Sequence, residues 1–216
     1  MSSHLRFPRG LYGITPEWDN TDQLLEAIAA AANGGMVALQ WRRKTVAPDA
    51  ALAQVRQVAD MCRDLGVVLI VNDDWRLAAL IDADGVHLGR EDGSLPEARQ
   101  ALGPGKIIGC SCYNEPALAA QALAAGADYI AFGAMYPSSV KPNAVRATLE
   151  HVEQGRMLAE GSSGRPRAAV VAIGGITPDN AAPVVHAGAD SIALISGLFE
   201  RSDIQATAAR CKALFD

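Results

Sequence analysis

Gln40, Arg42 and Lys44 stand two residues apart, at the end of the apolar run Met36-Val37-Ala38-Leu39. Such a run after Gly34-Gly35 predicts a buried strand, and strand side chains alternate faces. One amide and two cations would then project to one side where the strand reaches the surface. Guanidinium and ammonium groups so placed donate charge-assisted hydrogen bonds to an oxyanion with several oxygens. A strand that merely ends in solvated charges would give the same run, so the other elements must decide. The alternation sends Trp41 and Arg43 away from the ligand, which makes Arg43 the dispensable cation of the group.

Two further stretches carry acids. Asn72-Asp73-Asp74 follows the apolar run 67–71, and Gly89-Arg90-Glu91-Asp92 follows Val86-His87-Leu88. On neighbouring strands about 5 Å apart, Asp73 and Asp92 can share one hard cation, and two carboxylates plus phosphate oxygens is a magnesium arrangement. Helix capping is the competing reading, since Asp74 and Asp92 precede helical patterns. Ser111 offers a hydroxyl after the run beginning at Ile107. His87 points inward and reads as a packed, hydrogen-bonded histidine. The stretch 133–142 carries Ser138, Ser139 and Lys141 between Pro137 and Pro142. Gly174-Gly175-Ile176-Thr177-Pro178 permits close backbone approach, with Thr177 as an N-cap and Pro178 at the first helical position. Ser196-Gly197-Leu198-Phe199 predicts a short extra helix. Together these last two stretches resemble a phosphate cradle built from backbone.

The elements that must position these groups alternate along the whole chain. Strands are predicted over 11–14, 36–40, 67–71, 86–88, 107–111, 129–132, 169–173 and 191–195. Helical patterns include 21–32, 49–65, 115–125, 179–186 and 204–214. Eight strands alternating with helices predict an α/β fold, the (β/α)8 TIM barrel, as a single domain over 1–216 with a tail over 1–10. Ligand groups in such barrels sit at the C-terminal ends of the strands, where every group named above falls. An internal echo supports the plan: Ala83-Asp84, Ala127-Asp128 and Ala189-Asp190 each precede a strand, with the Asp read as a turn marker. A doubly wound open sheet is the alternative, though it usually has fewer strands at this length. Residues 161–166 read as a surface loop away from the site.

The chain has 216 residues, half of them hydrophobic, and a formal net charge of -5. That balance argues against nucleic acid or an anionic membrane as partner and leaves the cations as a local cluster for a small phosphorylated ligand. With no long apolar stretch and no signal-peptide pattern at the start, a cytoplasmic protein is expected. Cys62, Cys110, Cys112 and Cys211 lack zinc-motif spacing and read as structural thiols, with Ser111 on the face opposite Cys110 and Cys112. Two anion sites in one barrel, one cationic and one of backbone, suggest a transfer between two phosphorylated substrates.

The ordered motifs resemble the thiamine monophosphate synthase family. They are Gln40-x-Arg42-x-Lys44, Asn72-Asp73-Asp74, Gly85-Val86-His87-Leu88-Gly89 with Asp92, Gly109-x-Ser111, Pro137-Ser138 with Lys141-Pro142, Ala172-Ile173-Gly174-Gly175-Ile176-Thr177-Pro178, and Ile195-Ser196. They span nearly the whole chain. The resemblance implies condensation of a hydroxymethylpyrimidine diphosphate with a thiazole phosphate, or its carboxylated form, giving thiamine phosphate and diphosphate. It implies that Gln40, Arg42, Lys44, Asn72, Ser111 and Lys141 bind the pyrimidine diphosphate, with Arg42, Lys44 and Lys141 catalytic. It implies Mg2+ on Asp73 and Asp92, and the thiazole phosphate on Ser138, Ser139, Val140, Gly175, Ile195 and Ser196. The chain departs from the family pattern at Arg90 (usually glutamine), at Val140 (usually a hydroxyl), at Cys112-Tyr113 (usually a small residue and histidine) and at Ala134-Met135-Tyr136.

Three other readings compete. A thiazole phosphate tautomerase would rely on a histidine where Tyr113 stands. A sugar-phosphate aldolase or isomerase would use Lys44 or Lys141 as a Schiff base. A metabolite sensor would have no use for the leaving-group chemistry of Asp73, Asp92 and Lys141.

Overall fold

The computed structural model describes residues 5–137, 145–160 and 166–216. Eight parallel strands close on one another in chain order: β1 Gly10–Ile14, β2 Met36–Trp41, β3 Val68–Asn72, β4 Gly85–Leu88, β5 Ile107–Tyr113, β6 Tyr129–Phe132, β7 Ala169–Ile173 and β8 Ser191–Leu194. Helices cover them: α1 Thr21–Asn33, α2 Pro48–Leu65, α3 Trp75–Leu80, α4 Leu95–Leu102, α5 Pro116–Ala124, α6 Leu149–Glu160, α7 Ala182–His186, α8 Ser196–Phe199 and α9 Ile204–Lys212. This is the (β/α)8 barrel predicted from the alternation. Among the described residues no helix is long and apolar enough to cross a membrane. The surface loop expected over 161–166 falls, but for Pro166, outside the described residues.

Two apolar layers follow from the alternation. Side chains facing inward form a small core of Phe7, Tyr12, Ile14, Ala38, Ile70, Tyr129, Ala131, Val171 and others. Those facing outward join the helices in a larger shell, which includes Cys62, Cys112 and Cys211. Burial pushes the Cys62 and Cys112 thiols up to about 12 and those of Cys110 and Cys211 up to about 11, so all four are protonated near neutrality. The residues before β1 are not loose. Phe7 is fully buried, its ring 4.9 Å from that of Tyr12 and 4.3 Å from that of Tyr129.

The Ala-Asp echo has a sharper role than marking turns. Each Asp precedes an even-numbered strand, and its carboxylate accepts from the second residue of the strand before. Leu69 N donates to Asp84 at 2.7 Å, Ile108 N to Asp128 at 2.8 Å and Val170 N to Asp190 at 2.9 Å. Asp128 and Asp190 also donate their own backbone N–H to the carbonyls of Ile108 and Val170, which closes a ring between the paired strands. These two carboxylates are buried, and arginines neutralise them: Arg6 and Arg99 for Asp128, Arg156 and Arg167 for Asp190.

The resulting register brings chemistry together at the opposite rim. Asn72 lies beside His87, His87 beside Gly109, and Ser111 beside Ala131. A glycine is required at 109, because a Cβ there would stand 1.9 Å from the Tyr129 ring.

Asp128→Ala strips the Ile108 N–H and two arginines of their common partner. Breaking such a buried arrangement costs about 3 kcal/mol. Urea unfolding should show that loss, whereas Asp60→Ala, which removes a surface ion pair with Arg63, should leave the unfolding curve nearly unchanged.

Candidate active site

A cavity of about 700 Å³ opens at the C-terminal ends of the strands. Gln40, Arg42, Lys44, Asn72, Asp73, Asp92 and Ser111 all line it, so the described residues predicted for the diphosphate and the metal converge on one space. Its floor is made by Tyr12, Ile14, His87, Ala131 and Val171. Tyr12 and Tyr129 are fully buried phenols, and burial raises both well above the ordinary tyrosine value.

The rim cations are held by carboxylates. Arg42 pairs with Glu17 at 3.3 Å and Lys44 with Asp73 at 3.3 Å, while Arg90 pairs with Glu115 and lies 5.1 Å over the Tyr113 ring. Two of the departures from the family pattern, Arg90 and Tyr113, therefore touch each other. The sequence marked Arg90 and Tyr113 as unusual but not as partners, because Arg90 is far along the chain from both Tyr113 and Glu115.

Asp73 and Asp92 meet as expected, and the capping alternative divides between Asp74 and Asp92. Asp74 is a helix cap, accepting from Arg76 N and Leu77 N. Asp92 caps no helix; Ser94 does so for α4. Asp92 instead accepts from Gly89 N at 2.7 Å and contacts the Asp73 carboxyl. Burial and then Asp92 raise the Asp73 carboxyl above its ordinary value, with Lys44 opposing. Asp73 has φ 64°, the left-handed region that a non-glycine residue enters at a cost, and strain of this kind concentrates at functional positions. Two carboxylates so close together offer oxygen ligands that fit a hard divalent cation. Among the described residues no group of three or more His, Cys, Asp or Glu stands ready as a metal cage.

Arg43 faces away from the cavity, but it is not dispensable. Its side chain is 1% exposed. It donates to Trp18 O, to Gln54 Oε1 at 2.9 Å and to Asp19 at 2.7 Å, and it lies 3.4 Å from Glu17. Arg43 thus ties residues 17–19 to α2. In a covered barrel the outward face of a strand meets helices rather than water, so facing away from the ligand does not mean facing solvent. Trp18 in turn packs edge-on against Phe199 of α8, with ring centroids 6.4 Å apart.

A second cavity of about 330 Å³ adjoins the first, and the two share Ile173, Gly174, Ala193 and Ile195. Gly175, Ile195 and Ser196 line the smaller one as predicted, beside the amino end of α8, which no side chain caps. Gly175 has φ 65°, and a Cβ there would lie 2.4 Å from Pro137 O. Glu200 and Arg201 also line this cavity and were not foreseen, as nothing marks them off from an ordinary polar helix end.

Around this second cavity two boundaries are corrected. β8 ends at Leu194, leaving Ile195 as the N-cap of α8. Thr177 does not cap a helix: residues 177–180 form a turn, and α7 starts only at Ala182. Asn180 is the reason. Its Oδ1 accepts from Thr177 N at 2.8 Å and its Nδ2 donates to Gly175 O at 3.0 Å. Its carbonyl accepts from the Tyr136 hydroxyl at 2.8 Å. Ser138, Ser139, Val140 and Lys141 lie outside the described residues.

The molecule is thus a (β/α)8 barrel with two connected cavities at the C-terminal ends of its strands, an architecture of enzymes. The family model for thiamine monophosphate synthase matches residues 11–198. A thiamine-phosphate synthase of Bordetella pertussis is 55% identical over 98% of this chain and 97% of its own length. One from Methylobacillus flagellatus is 50% identical, over 96% of each chain. A solved thiamine phosphate pyrophosphorylase from Pyrococcus furiosus superposes with a TM-score of 0.80 at 31% identity, covering 97% of this chain and 96% of that one. A 3-hexulose-6-phosphate synthase shares the fold at a TM-score of 0.70 and 16% identity, over 95% of this chain and 99% of that one. The chain belongs to the thiamine monophosphate synthase family.

Arg43 and Arg42 should separate cleanly in a stability measurement. Arg43→Ala removes several buried hydrogen bonds and should cost about 2 kcal/mol or more in urea unfolding. Arg42→Ala breaks one rim pair and should change stability by about 1 kcal/mol or less.

Proposed function

We propose that this chain condenses 4-amino-2-methyl-5-hydroxymethylpyrimidine diphosphate with 4-methyl-5-(2-phosphoethyl)thiazole, or with its carboxylated form and loss of CO2, to give thiamine phosphate and diphosphate. The observation that carries this reading is the pair of joined cavities, one walled by cations and two acids, the other by glycine backbone and an uncapped helix end. Two ligands seated there would meet across the shared wall of Ile173, Gly174, Ala193 and Ile195.

The pyrimidine diphosphate belongs in the larger cavity, on Gln40, Arg42, Lys44, Asn72 and Ser111, with Lys141 assigned by family resemblance. Mg2+ on Asp73 and Asp92 would offset charge on the departing diphosphate. The methylene–oxygen bond breaks with its electron pair leaving on diphosphate, and the thiazole nitrogen supplies the pair for the new carbon–nitrogen bond. Arg42, Lys44 and Lys141 stabilise the charge that develops on the leaving oxygens. The pyrimidine delocalises the opposite charge. No enzymic nucleophile is needed, so the remaining task is positioning. The thiazole phosphate belongs in the smaller cavity, on Gly175, Ile195 and Ser196, with Ser138, Ser139 and Val140 assigned by resemblance.

The competing readings have less support. Lys44 sits half-exposed in an ion pair, not in the apolar pocket that suits a Schiff-base lysine. Tyr113, at the place where a tautomerase would need its histidine, stacks under Arg90.

Incubation with both phosphorylated precursors and magnesium should yield thiamine phosphate, and chelation should abolish it. Asp73→Ala should lower kcat/KM by roughly 100-fold or more; an unchanged rate would remove the metal assignment. Asn180→Ala should raise KM for the thiazole phosphate about five- to tenfold with a smaller change in kcat, since it loosens the cradle and leaves the leaving-group side intact.

A further inference from the structure

Five polar side chains from five strands form one unbroken chain beneath the larger cavity. Gln40 Nε2 donates to the Tyr12 hydroxyl at 2.8 Å, and the Tyr12 hydroxyl lies 3.1 Å from that of Tyr129. The Tyr129 hydroxyl lies 2.9 Å from His87 Nδ1, and His87 Nε2 lies 2.8 Å from Ser111 Oγ. The two ends, Gln40 and Ser111, line the cavity. The two phenols in the middle are buried, Phe7 packs on both, and the His87 ring stacks 5.5 Å from that of Tyr129.

The chain has a direction. An amide nitrogen has hydrogens to give and no lone pair to offer, so Gln40 fixes Tyr12 as its acceptor. The single Tyr12 hydrogen then goes to Tyr129, and that of Tyr129 goes to His87 Nδ1. An accepting Nδ1 places the imidazole hydrogen on Nε2, where it is donated to Ser111 Oγ. The Ser111 hydrogen is left for the cavity. Burial keeps both phenols protonated, so each has one hydrogen to pass on, and the Gln40 amide sets which way it goes. The reverse order would spend the Ser111 hydrogen on His87 and turn only lone pairs toward an anion.

We propose that Tyr12 and Tyr129 are positioning residues that set the direction of this chain, lock His87 in its Nε2–H tautomer and so hold the Ser111 hydroxyl as a donor to the diphosphate-bearing substrate. The last clause rests on the synthase reading; the direction of the chain does not.

Tyr129→Phe keeps the ring and removes the central hydroxyl. In protein labelled with 15N-histidine, with the His87 signals assigned from His87→Asn, the wild type should show a protonated Nε2 and an accepting Nδ1. Tyr129→Phe should shift the Nδ1 resonance and mix the tautomers; unchanged His87 shifts would overturn the proposal. This readout needs no substrate, so it decides the direction even if synthesis fails. In turnover, Tyr129→Phe should lower kcat by about tenfold with KM for the thiazole phosphate within about twofold. The double variant Tyr129→Phe/Ser111→Ala should be no slower than Ser111→Ala alone. Fully additive losses would mean that Tyr129 does not act through Ser111, which refutes the positioning role. If Tyr129→Phe does not fold, Tyr12→Phe makes the same test from the upstream side: it should move the His87 shifts in the same sense by a smaller amount, and unmoved shifts would again refute the chain.

Discussion

The barrel depends on a carboxylate that stands in for a strand. Asp84, Asp128 and Asp190 each reach back and take the N–H of the second residue in the preceding strand. A strand N–H at a buried barrel base needs a partner, and a carboxylate supplies a charge-assisted one. The bond also fixes how far each strand slides along its neighbour. A slip of one residue would exchange the two faces of a strand. His87 and Ser111 would then leave the cavity for the helical shell, and Val86 and Cys112 would take their places. The arginines around Asp128 and Asp190 follow from the same need, since a buried carboxylate holds its charge only when it is neutralised.

At the other rim the electrostatic problem is reversed. Several cations are crowded into one mouth, in a chain whose net charge is -5. The solution is local pairing: Glu17 with Arg42, Asp73 with Lys44, Glu115 with Arg90. Each acid lowers the repulsion among the cations and holds a long side chain in place. Asp73 has two competing demands on it, from Lys44 and from Asp92. A divalent cation shared by Asp73 and Asp92 would satisfy the acid pair and release Lys44 toward phosphate oxygens, so metal and diphosphate would favour each other's binding.

How much of this was legible depends on where a residue sits. Groups on strands were readable, since period-two alternation fixes both element and face. Gln40, His87 and Ser111 are such cases, with inward direction following from position alone. Arg43 shows the limit of that logic. Alternation gave its direction, but not that Gln54 and residues 17–19 would meet it there, because those partners come from distant chain. Thr177-Pro178 carried a strong local helix-start signal that lost to another local one, the Asn180 side chain bridging Thr177 and Gly175. Tyr12 and Tyr129 fall inside predicted strands, carried no functional signal there, and are buried. Only the distances among hydroxyls, ring nitrogen and amide show a polar thread through the core.

The wall between the two cavities explains why the small residues fall where they do. Gly174 and Ala193 belong to both spaces, and Gly133 faces the larger one against Ile173. A Cβ on Gly174 would meet Ala134 at 2.6 Å, and one on Gly133 would meet Ile173 at 2.6 Å. Larger side chains there would push the walls apart or fill the passage. A reaction without an enzymic nucleophile can gain rate only from charge complementarity and from the distance between the two reacting atoms. The cations and acids of the rim supply the first. The second would be set by the narrow shared wall, if the two ligands sit as proposed on either side of it. The barrel strands carry that wall on β7 and β8, whose register Asp190 fixes from below. The pinning at the base and the shape of the shared wall at the top are therefore one structural requirement, transmitted along the same two strands.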